Sequence, residues 1–519
     1  MSRKLLALGL VLSLAACGGP SPTTTTTTTT TSDTSGEQTA ERERVPPPAS
    51  GPARDVHLPP ITRTQLDNGL EINTVATHAL PLVYVRLVIR GGLAASPEQM
   101  PGLSRLVAKM LKEGTRRRTS AQLAEAVEYL GADLSVGDDQ ATVVLQIRAL
   151  AEHLDTVMDL LADMAMNPRF DEQELRRLKA RELDRLRIEA GDASTLARRE
   201  FYRAIYGDHP YSHVDLTPEA IGRIRRQDLS AWHRAHFVPN NAYLVVAGDV
   251  TPEQVQAAAR QAFGRWRRRD VTTAQYAEIA PRTEREVIVV HRPSSAQSVI
   301  AVGNLAIPRG HEDWVPLEVA NQVLGGSAAS RLFMDLRERR SLTYGAYSSV
   351  DELPFVAPFR ARAGVGRDPR QPDVDRTPAA MDAFMEHLER IVSEPPPPAE
   401  LQNAQRFLSD SFPLQIDTAG RIAGLVSDLR LYDLPDDYWD GYRTQIRSVT
   451  PAQALEAARA HIDPEHALIV VVGDAEAIAQ PMRRWGPVRV VDAEGREISR
   501  FPAASAGATE TPTAAPAAE

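Results

Sequence analysis

The sequence contains only one cysteine, Cys17, among 519 residues. A single cysteine forms no intramolecular disulfide and builds no cysteine-based metal site. No internal apolar run reaches the roughly 18 residues that a membrane-spanning helix needs. The chain also has no basic block, and its formal net charge is −9, which argues against nucleic-acid binding. The remaining composition, 43% hydrophobic and 24% charged, is typical of a globular protein with room for two to four domains.

The N-terminus has the pattern of a targeting signal. Arg3 and Lys4 precede a short apolar core, Leu5–Ala16. The segment ends in Leu-Ala-Ala-Cys followed by Gly18, which resembles a bacterial lipoprotein signal. We therefore expect cleavage before Cys17, lipid on its sulfur, and attachment to the cell envelope. An ordinary secretory signal with an incidental cysteine is the alternative. Glycine rather than aspartate after the cysteine favours the outer membrane, facing the periplasm.

Two further segments have compositions that cannot bury a core. Residues 18–60 include nine consecutive threonines, Thr23–Thr31, and residues 501–519 are rich in alanine, proline and threonine. Both are predicted to be disordered. With residues 1–17 as the signal peptide, residues 18–60 would tether the folded part at a distance from a membrane surface. Removal of the signal brings the net charge to about −11.

The part between these segments contains a repeat. "AYLVVAGDVTPEQV" begins at Ala242 and "ALIVVVGDAEAIAQ" begins at Ala467, and each is a buried strand ending in Gly-Asp before a helix. A period of this length indicates a duplicated domain. We predict two homologous halves, residues 61–275 and 276–500. The alternation of strands and helices favours an α+β class, with a mostly antiparallel sheet covered by helices in each half.

Three stretches carry a family resemblance. They are "LDNGLEI" (Leu66–Ile72), "YGDHPY" (Tyr206–Tyr211) and the long "NQVLGGSAASRLFMDLRERRSLTYGAYSS" (Asn321–Ser349). Together with the duplication, they resemble the pitrilysin/insulinase-type (M16) zinc peptidases, in particular the short bacterial and mitochondrial-processing type. The resemblance covers nearly all of the chain from Ile61 to about Val491.

In active members of that family, a helix carries His-x-x-Glu-His, in which two histidines bind zinc and the glutamate is the general base. This sequence aligns there as "GLSRLVAKMLKEGT", with Arg105 and Lys109 at the histidine positions and Ala108 at the base. The third ligand position falls near Leu186, with a register open by about one turn, and Glu182 and Glu189 lie nearby. Guanidinium and ammonium groups offer zinc no lone pair at neutral pH, and alanine accepts no proton. The resemblance therefore implies that this chain holds no metal and has no catalytic residue of its own.

The C-terminal half keeps a different feature of the family. Its active assemblies use an arginine and a tyrosine seven residues apart to contact substrate, and here these are Arg337 and Tyr344. An arginine can grip a carbonyl or carboxylate with its forked donors, and a tyrosine hydroxyl can stabilise a developing oxyanion. The alternative is a solvated charged face around Arg337 and a core position for Tyr344.

Two histidine pairs are candidate metal ligands. They are His233 with His236, one turn apart, and His209 with His213. No carboxylate accompanies either pair in a recognised ligand pattern, so surface or capping roles are expected.

The resemblance predicts a membrane-anchored, non-catalytic subunit that binds peptides for a zinc-bearing M16 partner, most simply in a heterodimer. Zinc is expected in that partner. One alternative is a non-enzymatic scaffold or peptide-binding lipoprotein. Another is a self-sufficient metallopeptidase with a relocated metal site.

Overall fold

The computed structural model describes residues 56–271, 276–366 and 374–504. The predicted signal peptide, Cys17, most of the tether and most of the tail lie outside this range. The folded part begins before the predicted boundary at Ile61, because Leu58 is buried and its amide donates to the Asp440 carboxylate at 3.3 Å. Within these residues, no helix combines the length and the apolar character needed to cross a bilayer.

The first half is built on a six-stranded sheet. Its strands are β1 (Ile61–Gln65), β2 (Glu71–Ala76), β3 (Leu82–Arg90), β4 (Asp133–Asp138), β5 (Thr142–Leu150) and β6 (Ala242–Gly248). Their order is β1-β2-β6-β3-β5-β4, and only the β2–β6 pair is parallel. The β6 strand is buried along its whole length, as its continuous apolar run predicts.

The second half repeats this plan. Its strands are β7 (Glu286–His291), β8 (Gln297–Leu305), β9 (Thr343–Val350), β10 (Pro358–Gly366), β11 (Leu468–Gly473), β12 (Val488–Val491) and β13 (Glu497–Phe501). The order is β13-β12-β7-β11-β8-β10-β9, so β7-β11-β8-β10-β9 matches β2-β6-β3-β5-β4 of the first sheet. The equivalent pair, β7–β11, is again parallel. The predicted α+β fold with two homologous halves is confirmed.

Helices cover both sheets. Those of the first half are α1 (Leu103–Met110), α2 (Ser120–Tyr129), α3 (Leu154–Met166), α4 (Glu172–Glu189), α5 (Ala193–Tyr206), α6 (Pro218–Arg223), α7 (Arg226–His236) and α8 (Pro252–Phe263). Those of the second are α9 (Trp314–Leu324), α10 (Arg331–Phe333), α11 (Thr377–Ser393), α12 (Pro398–Ser411), α13 (Ala419–Leu431), α14 (Tyr438–Ser448), α15 (Pro451–His461) and α16 (Ala475–Met482). Side-chain caps start several of them. Thr119 caps α2 in a capping box with Gln122, and Asp171 caps α4.

The two halves exchange a helix. Helix α5 of the first half packs on β8 and β11 of the second sheet, where Phe201 and Ile205 share a core with Val470. Helix α13, which follows α12 as α5 follows α4, packs on β3 and β6 of the first sheet. Each sheet therefore buries one face only when the other half is present.

This exchange predicts that neither half is stable alone. Residues 56–271 and 276–504, expressed separately, should each be poorly soluble and lack cooperative unfolding by circular dichroism, because each exposes an apolar sheet face and an apolar helix stripe. Co-expression should restore a complex that elutes as one species. A matched control is the full chain cut at an engineered protease site near residue 273, which should stay assembled. Independent cooperative unfolding of either half would contradict this.

Candidate functional site

Helix α1 carries the positions of the lost zinc motif. It begins after Gly102, which has φ 77°, and a Cβ there would lie 2.8 Å from Leu216 Cγ, so glycine is required. The apolar residues of this segment have the i, i+3, i+4, i+7, i+8 spacing of one helix face, and all five are buried: Leu103, Leu106, Val107, Met110 and Leu111. Ala108, at the family's base position, is buried in the same core. The helix therefore keeps its packing face, and a methyl group stands where a proton acceptor would be needed.

Lys109 reaches across to helix α4. Its Nζ lies 2.5 Å from Glu182 Oε1, and the Glu182 side chain is only 5% exposed. Leu186, the predicted third position, lies one turn further along α4 and is buried in the apolar core of the first half. The structure brings a carboxylate of the neighbouring turn, Glu182, to this face of α1. The assignment of Leu186 to the third position therefore stays a prediction whose register is open by one turn.

Arg105, one turn before Lys109 on α1, contacts two further carboxylates. Its Nη1 lies 2.6 Å from Asp215 Oδ1, and its Nε lies 3.2 Å from Asp138 Oδ1 at the end of β4. Both carboxylates are buried, with the Asp215 side chain 4% exposed. Asp215 belongs to the loop before α6, so Arg105 connects α1 to two other parts of the first half.

Arg185 joins these two ion pairs into one network. From α4 it donates to Glu182 Oε2 at 2.8 Å, to Asp215 Oδ1 at 2.8 Å and to Glu189 Oε1 at 2.6 Å. Three cations and four carboxylates therefore alternate between α1, α4, β4 and the loop before α6. We call these seven residues the ion-pair network: Arg105, Lys109, Asp138, Glu182, Arg185, Glu189 and Asp215.

The network holds its central carboxylates in the charged form. Burial alone would raise the pKa of Glu182, but hydrogen bonds from Lys109 and Arg185 outweigh it and hold that pKa below its ordinary value. Burial is likewise outweighed at Asp215, whose pKa is lowered by Arg185 and Arg105. Asp138 differs, because burial raises its pKa in spite of Arg105.

This geometry excludes the family's zinc chemistry at α1. Two cations occupy the side-chain positions of the histidines, and Glu182 already accepts hydrogen bonds from both Lys109 and Arg185. A divalent cation there would meet the positive charges of Lys109 and Arg105 at short range, and the carboxylates of the ion-pair network are already paired with cations. At this place the first half pairs charges, and Ala108 provides no proton acceptor at the family's base position.

Histidines of the two candidate pairs contact neighbouring backbone and aromatic side chains. His233 is buried, lies 2.8 Å from the Ala165 carbonyl oxygen through Nε2, and has a pKa lowered by burial to about 4. His236 stacks on Trp232. His209 stacks on Phe355, in an aromatic cluster between the two halves.

Arg337 and Tyr344 lie on either side of an unusual turn. Arg337 is in a π-helical segment, Met334–Arg339, in which the Arg340 amide bonds back to the Asp335 carbonyl oxygen at 2.9 Å. Its side chain is 47% exposed, lies 3.3 Å from Glu338, and places its guanidinium 4.9 Å from the centre of the Phe333 ring.

Tyr344 follows at the start of β9 and is 82% exposed. No hydrogen bond or ring contact joins its side chain to another residue within 56–271, 276–366 and 374–504. Tyr344 is therefore a surface residue, and the alternative of a core position is wrong.

Three members of the network were not anticipated from the sequence. Asp138 lies 33 residues from Arg105, and Asp215 lies 110 residues from it. No spacing rule connects residues so far apart. Arg185 could have been found, because it follows Glu182 by one turn on the same helix.

Comparison with known proteins finds two family models that match this chain. The sequence model of "Insulinase (Peptidase family M16)" matches residues 72–218, and that of "Peptidase M16 inactive domain" matches residues 223–408. An uncharacterized zinc protease of Mycobacterium leprae is 26% identical over 56% of this chain, and the match spans 66% of that protein. The non-peptidase homolog YmxG of Helicobacter pylori is 22% identical over 76% of this chain and 90% of its own.

A solved structure has the same fold. A crystal structure of a peptidase M16 inactive domain from Pseudomonas fluorescens superposes with a TM-score of 0.74 and 24% identity, covering 80% of this chain and 98% of that one. The family matches cover most of both halves, and the sheet order and duplication agree with them. This chain belongs to the M16 (insulinase) peptidase family, and its own zinc-motif positions have lost their metal-binding chemistry.

Proposed function

We propose that this protein is the non-catalytic subunit of a heteromeric M16 peptidase, in which a zinc-bearing homologue cleaves peptides that this chain helps to bind. The observation that carries the proposal is a contrast between the halves. In the first half, the reactive face of α1 is closed by the ion-pair network. In the second, Tyr344 is exposed, and its side chain has no hydrogen-bond or ring partner in the part of the chain that the structure describes. The name "non-peptidase homolog" given to the Helicobacter pylori relative supports the non-catalytic part.

Arg337 and Tyr344 are the proposed substrate contacts. A guanidinium with about half its surface exposed can donate two parallel hydrogen bonds to a carboxylate or a peptide carbonyl. The Tyr344 hydroxyl can donate to a carbonyl oxygen that gains negative charge during cleavage. In the proposed complex these groups face a peptide whose scissile bond is held by the partner's zinc.

The turn between them is constrained, which supports a binding role. Ser341 has φ 53°, a left-handed conformation that is unfavourable for a residue with a side chain. Asp335 fixes the preceding π-helical segment by bonding His387 and Arg340, each at 2.9 Å. Strained backbone of this kind persists where the surrounding contacts over-determine it, and it is frequent at functional sites.

The ion-pair network is proposed to replace the metal as the connection between α1 and α4. Attachment through Cys17, in the cell envelope and at the outer membrane, is part of the same proposal and rests on the sequence pattern alone.

The structural role predicts a stability cost. Arg105→Ala removes the counter-charge of Asp138 and half of that of Asp215, so the free energy of unfolding should fall by roughly 2–4 kcal/mol, near the lower part of the range for a broken buried ion pair because Arg185 remains. Urea titration at pH 7 measures this. The matched control is Arg187→Ala, whose partner Asp184 is exposed on the same α4; it should change stability by no more than about 0.5 kcal/mol. Equal effects would contradict a structural network.

The lost chemistry should be partly restorable. Arg105→His with Lys109→His places two imidazoles one turn apart, facing Glu182, which supplies the third ligand. The double variant should bind one additional equivalent of Zn²⁺ relative to the wild type, measured by equilibrium dialysis. Peptidase activity is not expected, because Ala108 is unchanged. Adding Glu182→Gln should remove the additional zinc, whereas adding Leu186→Ala should leave it. If the additional zinc remained with Glu182→Gln and was lost with Leu186→Ala, the third position would be assigned to Leu186.

The substrate role is tested in the complex. The chain is co-purified with a candidate zinc-bearing M16 partner, and Arg337→Ala or Tyr344→Phe should lower kcat/KM for peptide cleavage by about 10–100-fold without changing complex yield. The matched controls are Arg390→Ala and Tyr129→Phe, a comparably exposed arginine and tyrosine elsewhere on the surface. Unchanged kcat/KM in both test variants would refute the substrate role. Failure to capture any zinc-bearing homologue would favour the scaffold.

A further inference from the structure

Three potential metal ligands meet on the second half, far along the chain from the network. His311 and Asp313 lie directly before α9, and His461 is the last residue of α15. The His461 Nε2 atom is 2.8 Å from Asp313 Oδ2, and the His311 Nδ1 atom is 3.9 Å from the same oxygen. One donor atom from each residue lies within 4.8 Å of the other two. We propose that His311, Asp313 and His461 bind a transition-metal ion, with Zn²⁺ as the best fit.

The donor set suits zinc. Neutral imidazole nitrogen and carboxylate oxygen are its usual ligands, and three protein ligands leave one position for water. Tetrahedral bonds of about 2.0–2.1 Å place donor atoms about 3.3 Å apart. The two distances to Asp313, 2.8 and 3.9 Å, lie on either side of that value. The side chains of His311 and Asp313 are partly exposed, so the ion can enter from solvent.

The Asp313 side chain also does not make the hydrogen bonds that are usual at its position. It occupies the N-cap of α9, where an aspartate normally accepts hydrogen bonds from the first amides of the helix. Its side chain accepts none of them and turns to His461 instead. The guanidinium of Arg309, two residues before His311, donates to the Tyr438 hydroxyl at 2.9 Å and lies over the Trp314 ring.

The consequence is structural. Helices α9 and α15 pack against each other, and a bound ion would fasten the start of one to the end of the other. Within residues 56–271, 276–366 and 374–504, no other set of three such side chains comes together in this way. The site contains no histidine from α1 and does not depend on the proposed partner, so its test is independent of the peptidase proposal.

The experiment is zinc titration of the tag-free, full-length protein by calorimetry, with thermal unfolding in parallel. The wild type should take up one equivalent of Zn²⁺ and unfold at a higher temperature when zinc is present. His311→Ala, which keeps the Asp313–His461 bond, and His461→Ala should each weaken zinc binding at least about tenfold and abolish the thermal shift.

The matched control is His466→Ala. His466 and Asp463 form a pair at the same 2.8 Å, with similar exposure, but without a third ligand. This variant should bind zinc as the wild type does. With Co²⁺ in place of zinc, the wild type should show the visible absorption of a tetrahedral complex and His311→Ala should not. No uptake by the wild type, or wild-type affinity in both His311→Ala and His461→Ala, would overturn the proposal.

Discussion

The first half depends on the need to balance buried carboxylates. Glu182 and Asp215 are almost fully enclosed between α1, α4 and the loop before α6. A buried charge without a counter-charge costs several kcal/mol, so this place requires positive charge of some kind. In the zinc-binding members of the family the resemblance implies that a metal ion supplies it. Here Arg105 and Lys109 supply it from the positions of the two histidines, and Arg185 adds a third cation. Replacement at both positions therefore removes catalysis while it preserves the packing of the helices.

The exchange of α5 and α13 makes the fold of each half depend on the other. The second sheet buries its face against α5, which follows directly from α4 and hence from the network. A first half that lost its fold would expose the apolar core shared by Phe201 and Val470. The fold of the second half therefore also depends on α5 and on the part of the first half that positions it. This coupling is a property of packing and requires no catalytic role for the first half.

The sequence predicted what depends on local or repeated patterns. The two halves, the α+β class, the stripe of α1 and the charges at Arg105 and Lys109 follow from periodicity, repetition and a gapless motif. The register of the third position stayed open by one turn, because Glu182, Leu186 and Glu189 lie on neighbouring turns of one continuous helix, α4, and its register against α1 is set by tertiary packing. Asp215, and the meeting of His311 with His461, could not be predicted, because those partners come together only when distant segments fold onto one another.

Arg105 and Tyr344 differ in how far the folding of the chain explains them. Arg105 has two buried partners, so folding alone accounts for its presence. Tyr344 differs, because its side chain is 82% exposed and makes no hydrogen bond or ring contact within residues 56–271, 276–366 and 374–504. Exposure alone does not mark a site, because Tyr129 is 89% exposed as well. What distinguishes Tyr344 is its place after the left-handed turn at Ser341, which fixes where the ring is presented, and the proposed peptide contact rests on that position together with Arg337.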